Sequence, residues 1–211
     1  MADQPLERTG ATERPKPPLI KWQSAGGDPT KLWAEDQRAG FLTAGPATDW
    51  FIDPATGQPV RNAPLLLTPV SGDFQFVARV QAPLTTTYDA VALFVHASPT
   101  HWAKLLLERS PQGADTIVTV VTRDVSDDAN GPPVPMPGQT WLRVSRMQDT
   151  YAFHYSLDRA TWSLVRLFTI GPTASHRVGL SVQSPQGNGL IGRIDGVDIA
   201  DTTLKDPRVG S

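Results

Sequence analysis

Short segments rich in β-branched and aromatic residues recur along this chain, cut apart by turn signals, and no long stretch carries a capped helical stripe. The segments are Asp73–Ala82, Tyr88–Ala97, His101–Arg109, Thr116–Arg123, Thr140–Met147, Tyr151–Leu157, Trp162–Ile170, Arg177–Gln183 and Leu190–Ile199. Turns are read at Ser110-Pro111-Gln112-Gly113, Asp128 to Gly131, Gln148-Asp149 and Ser184 to Gly189. Strands at such close, regular spacing predict a sandwich or barrel and argue against a βαβ fold. One short helix is expected near Lys31–Gln37. At 211 residues and 39% hydrophobic content, the chain can build one large sandwich around a real core.

Charge and composition narrow the function classes. A net charge of −2 with scattered Lys and Arg lacks the basic footprint of a nucleic-acid binder. Without cysteine there is no disulfide, no thiolate nucleophile and no Cys-based zinc site. Residues 1–19, with Pro5, Pro15, Pro17 and Pro18 among charged and small residues, are expected to form a tail with no secretory apolar core. No run reaches the length of a membrane span. The expectation is a soluble, cytoplasmic domain over residues 20–204, with a second short tail over 205–211.

Strand parity points to a face. In His101–Arg109, Ala103, Leu105 and Leu107 fall on one side and Trp102, Lys104, Leu106 and Glu108 on the other. The first set is core; the second, aromatic and charged, is expected to be a groove reached by solvent. In Thr140–Met147, Trp141, Arg143 and Ser145 oppose Leu142, Val144 and Arg146. Trp141 and Trp162 are expected to be core or sheet-edge anchors, whereas Trp50 and Trp102 suit a groove.

An ordered series of residues carries a resemblance. It runs through Thr48-Asp49-Trp50-Phe51, Ala63-Pro64, Gly72-Asp73-Phe74, Tyr88-Asp89, Trp102-Ala103-Lys104, Glu108, Val121-Thr122 and Ser126-Asp127. Trp141 to Arg146, Tyr155-Ser156, Asp158, Trp162, Val178-Gly179-Leu180 and Ser184-Pro185 complete it. The series resembles the concanavalin A-like domain family of unknown function that includes a fungal regulator of enolase, from about Leu32 to Ile199. The resemblance implies an all-β, two-sheet antiparallel jelly-roll sandwich of the lectin/glucanase type. Three places depart from the family pattern: Ala90 to Ala92 follow Tyr88-Asp89, Asp128 stands where a Trp is usual, and Arg159 replaces a turn glycine.

These readings converge on Trp50, Tyr88, Trp102, Lys104, Glu108, Thr122, Asp127 and Arg143 as candidate ligand-binding residues, with no catalytic residue assigned. Aromatic faces stack on pyranose rings while charged groups exchange hydrogen bonds with hydroxyls; ordinary solvated sheet charges are the competing explanation. Non-catalytic binding of a carbohydrate or carbohydrate-like ligand is the favoured reading. A glycan hydrolase needs two flanking carboxylates. The chain has only four Glu, of which Glu108 alone suits the groove, so a hydrolase would pair it with a cross-strand acid such as Asp127. A regulatory domain gripping a protein partner is the third reading. The four His lack metal-ligand spacing. Asp195, Asp198 and Asp201 raise a structural calcium, but hydrated turn carboxylates explain them better, so no cofactor is assigned.

Overall fold

The structure is a computed structural model that describes residues 19–26, 30–135, 138–171 and 175–211. The expected N-terminal tail lies outside the described residues except for Leu19, which is exposed. Among the described residues there are sixteen strands and no helix. In chain order they are β1 (Gln23–Gly26), β2 (Thr30–Trp33), β3 (Gly40–Ala44), β4 (Trp50–Ile52) and β5 (Pro59–Arg61). Next come β6 (Leu65–Val70), β7 (Phe74–Gln81), β8 (Ala90–Ser98), β9 (His101–Arg109), β10 (Asp115–Arg123) and β11 (Val125–Pro133). The last five are β12 (Gln139–Met147), β13 (Thr150–Ser156), β14 (Ser163–Phe168), β15 (His176–Gln183) and β16 (Leu190–Ala200).

The strands form two seven-stranded antiparallel sheets. A front sheet has the order β1-β6-β15-β8-β9-β10-β11, and a back sheet the order β14-β13-β12-β7-β16-β3-β2. Between them lies the main core, with Leu93, Leu105, Leu107 and Leu180 meeting Phe74, Phe76, Leu142, Val144 and Phe153. The alternation read in His101–Arg109 therefore assigns the correct residues to the core.

A third layer was not expected. Strands β4 and β5 pair only with each other, and their hairpin covers the outer side of the front sheet. Beneath it Trp50, Ile52, Leu65, Leu67, Phe94, Trp102 and Leu106 form a second apolar cluster. Burial on both sides explains why β8 reads as a nearly continuous apolar run, Ala90 to Val95, where a half-exposed strand would alternate. Polar anchors hold the hairpin: the Ile52 amide donates to Ser126 Oγ at 2.9 Å, and Trp50 Nε1 donates to the Ala63 carbonyl at 2.9 Å.

Two local expectations are corrected. Lys31–Gln37 is no helix: β2 ends at Trp33, and the Gln37 amide donates to the Ala34 carbonyl at 2.9 Å in the loop leading to β3. The segment is too short to outweigh the pairing of β2 with β3. Asp128 to Gly131 is no turn but part of β11; the chain reverses at Asp124, whose φ of 64° is left-handed. As an edge strand, β11 tolerates charge and proline because only one side must pair.

Candidate functional site

A cavity of about 370 Å³ opens between the β4 end of the hairpin, the Tyr88 turn and the outer side of β9, β10 and β11. Strand register explains its lining. Lys104, Val120 and Asp128 form one cross-strand row, and Leu106, Val118 and Asn130 the next. Glu108 follows two residues further along β9, in register with Ala90 and, beyond it, Gln183. All but Leu106 and Ala90 line the cavity, with Asp49, Phe51, Tyr88 and Pro111 closing its sides. A more open hollow of about 440 Å³ on the back sheet, beside Phe41, Ile191 and Arg193, gathers no comparable set of ionisable groups.

The floor is polar and ordered. Lys104 is 2% exposed, and its Nζ donates to Asp49 Oδ1 at 3.0 Å and to Gln183 Oε1 at 2.8 Å. Glu108 stands near this pair. Burial pushes its carboxyl up to about 7, Lys104 opposes the rise, and Asp49 and Asp128 add to it. A carboxyl poised near neutrality beside a buried ion pair is the kind of group that gathers at binding and catalytic sites.

Tyr88 enters the cavity under backbone strain. Its φ is 69°, a left-handed value uncommon for an aromatic residue. Hydrogen bonds hold it from both sides: its amide donates to the Arg109 carbonyl at 2.8 Å, and its carbonyl accepts from Gln183 Nε2 at 3.3 Å. Strain retained in this way is common at ligand sites.

Of the eight candidates read from sequence, Tyr88, Lys104 and Glu108 meet in this cavity and five do not. Trp102 is completely buried and Trp50 is 5% exposed, the two rings packed edge to face beneath the hairpin with centroids 6.0 Å apart. Neither can stack on a ligand. Thr122 is also fully buried, its Oγ1 2.9 Å from Ser126 Oγ in the hairpin's anchor. Asp127 points to the other side of β11 and binds Arg166 Nη2 at 2.8 Å. Arg143 belongs to the back sheet, where it lies 4.3 Å from the Trp162 ring centroid and donates to the Gly210 carbonyl at 2.9 Å. The groove assignment fails for Trp50 and Trp102, while Trp162, next to edge strand β14, fits a sheet-edge anchor. Trp141 and Trp162 lie half-buried on the outer side of the back sheet, under Arg79, Arg159 and Arg143.

Sequence reasoning missed Asp49, Phe51, Asn130 and Gln183, and left Asp128, a departure from the family pattern near the expected groove, out of the candidate site residues. For Asp128 and Asn130 a signal existed, because they alternate with Asp127 and Ala129, but the segment was read as a turn. Of the three C-terminal acids, Asp201 is exposed in a bend, as a hydrated turn carboxylate would be, whereas Asp195 and Asp198 on β16 are ion-paired. Asp195 accepts Arg79 Nε at 2.7 Å and pairs with Arg193 at 3.1 Å, and Asp198 pairs with Arg38 at 3.1 Å. Among the described residues no group of three or more His, Cys, Asp or Glu is placed to hold a metal. No helix of the described residues is long and apolar enough to cross a membrane.

Comparison with known proteins agrees with this architecture. A Saccharomyces cerevisiae protein called regulation of enolase protein 1 is 31% identical over 118 residues, covering 56% of this chain and 59% of its own length. The chain thus spans about 59% of that curated relative. A functionally unknown protein from Saccharomyces cerevisiae superposes with a TM-score of 0.80 at 21% identity, over 87% of this chain and 97% of the other. The carbohydrate-binding module CBM66 from Bacillus subtilis shares the fold with a TM-score of 0.55 at 12% identity, over 86% of this chain and 96% of its own. A family profile described as protein of unknown function (DUF1349) matches residues 27–202, and the chain belongs to that family.

Proposed function

We propose that this domain binds a carbohydrate-like ligand in the cavity above Lys104, without cleaving it. The observation that carries the reading is the pairing of Tyr88 and Phe51 with an ordered polar floor of Lys104, Asp49, Gln183 and Glu108. An aromatic wall beside converging donors and acceptors suits a ring with one apolar face and many hydroxyls. The likeness to a carbohydrate-binding module supports the same class of ligand, as a likeness of fold. Calorimetric titration against a panel of neutral, basic and acidic oligosaccharides tests it. Binding by at least one, weakened about tenfold by Tyr88→Ala through lost stacking, is expected. No heat with any oligosaccharide at millimolar concentration overturns the reading.

One observation favours a second reading, hydrolysis. A Glu108 carboxyl held near 7 is matched to general-acid work at neutral pH, and Asp128 lies in the neighbouring part of the cavity. Release of reducing sugar that Glu108→Gln abolishes would establish it in place of simple binding. A protein-gripping surface calls for a contiguous exposed apolar patch. Among the exposed large apolar side chains, Phe41 and Ile191 share the back-sheet hollow, while Val60, Val125 and Leu157 lie apart on other strands and loops.

A further inference from the structure

The charges of the cavity do not balance, and the imbalance specifies the ligand further. Lys104 is already engaged, since Asp49 and Gln183 take its ammonium within the wall and leave it 2% exposed. Two carboxyls remain. Glu108 is nine-tenths buried and, among the described residues, has no hydrogen-bond or ion-pair partner. Asp128 is exposed on β11 and has none either. Both line the same cavity, with the Tyr88 ring beside them. An unpartnered carboxyl this deeply placed carries a desolvation penalty that a neutral hydroxyl offsets poorly and an ammonium offsets well.

Resting on the carbohydrate reading above, we infer that the cavity takes a sugar bearing a protonated amine, its ammonium against Glu108 and within the field of Asp128, and its ring against Tyr88. An ammonium brings three donors and a full positive charge to two acceptor groups that lack both. Acetylating the amine removes the charge and leaves one donor. A uronic acid would bring a like charge toward Glu108 and Asp128 and would be repelled.

The test uses the full chain at pH 7 and low salt, with a glucosamine tetrasaccharide, its N-acetylated counterpart and a galacturonic acid tetrasaccharide as calorimetric probes. The glucosamine form is expected to bind at least tenfold more tightly than the acetylated one, and the uronic form not at all. Asp128→Asn, a change at an exposed position that leaves the fold alone, should reduce the preference several-fold, and Glu108→Gln should remove most of it. Thermal midpoints of both variants confirm that they are folded. Equal affinity for the amine and acetylated forms overturns the inference, as does a preference that survives both substitutions. If only the neutral or acidic sugar binds, the carbohydrate reading stands and the ammonium assignment falls. If no sugar binds, both fall.

Discussion

Glu108 sets site chemistry against stability. Its carboxyl titrates near 7 in the folded chain, against an ordinary value of 4.5 when burial is lost. Between those values the folded protein holds more protons than the unfolded one. The residue's contribution is therefore present below about pH 4.5 and is lost as pH rises through 7, a change on the order of 3 kcal/mol. Glu108→Gln should accordingly raise stability at pH 8 by about 1–3 kcal/mol and change it little at pH 4.5, as read by urea denaturation at both values. His96 and His154 act in the opposite sense. Burial lowers each from 6.5 to about 4, with nearby Arg177 and Arg143 adding to the effect. The unfolded chain then binds more protons between those limits, so their contribution is present above 6.5 and is lost as pH falls toward 4. NMR titration should find both imidazoles still neutral at pH 5.5. For His154 the proton is expected on Nε2, which donates to the Pro207 carbonyl at 2.7 Å.

At the scale of elements, the β4–β5 hairpin decides what the front sheet shows to solvent. It converts the aromatic side of β9 from a surface into an interior, and it supplies Asp49 and Phe51 to the cavity wall. Trp50 is its main anchor, packed edge to face against Phe94 and Trp102 at centroid distances of 5.9 and 6.0 Å. Trp50→Ala should cost about 3–5 kcal/mol, the range for removing a buried tryptophan. The fluorescence of Trp102 should shift to the red as water reaches it, and any ligand affinity should fall as Asp49 loses its position. An unshifted emission spectrum would mean that the hairpin stays docked through its bond to Ser126. Strand β11 shows the opposite behaviour. Its sequence, Val125-Ser126-Asp127-Asp128-Ala129-Asn130-Gly131-Pro132-Pro133, carries almost no strand propensity, yet it pairs with β10 along most of its length. Backbone hydrogen bonding to a formed edge needs no apolar side chain, so local composition was a poor guide there.

Across the whole molecule, the last described residues hydrogen-bond to the back sheet. The Gly210 carbonyl accepts from buried Arg143, the Pro207 carbonyl meets His154, and Thr202 Oγ1 accepts from Gln75 at 3.0 Å. Removing residues 205–211 would strip Arg143 of its carbonyl partner and hydrate His154. Hydrogen bonds to charged groups contribute about 1.5–3 kcal/mol each. For a chain of this size the loss should lower the thermal midpoint by roughly 4–10 °C. It should also raise the His154 pKa toward 6.5, and calorimetry together with NMR checks both. An unchanged midpoint would show that these residues are a tail after all.

The strand pattern and the order of motifs were legible in the amino-acid sequence, because period-two alternation reports directly which side of a strand meets the core. Alternation yielded the all-β class and the inward set Ala103, Leu105 and Leu107, whereas the family came from a resemblance carried by the ordered motifs. Parity also placed Lys104 and Glu108 together on the opposite side of β9. What parity cannot say is whether that opposite side meets water or a third layer, since both demand only that it differ from the core. The hairpin carrying Trp50 decided this by burying Trp102 and leaving only the Glu108 end open. Nor does alternation tell which strands share a sheet, a choice made by pairing across dozens of intervening residues. Arg143 and Lys104 fell on different sheets for that reason, and Gln183 reached the cavity through a neighbour far away in the chain, Ala90.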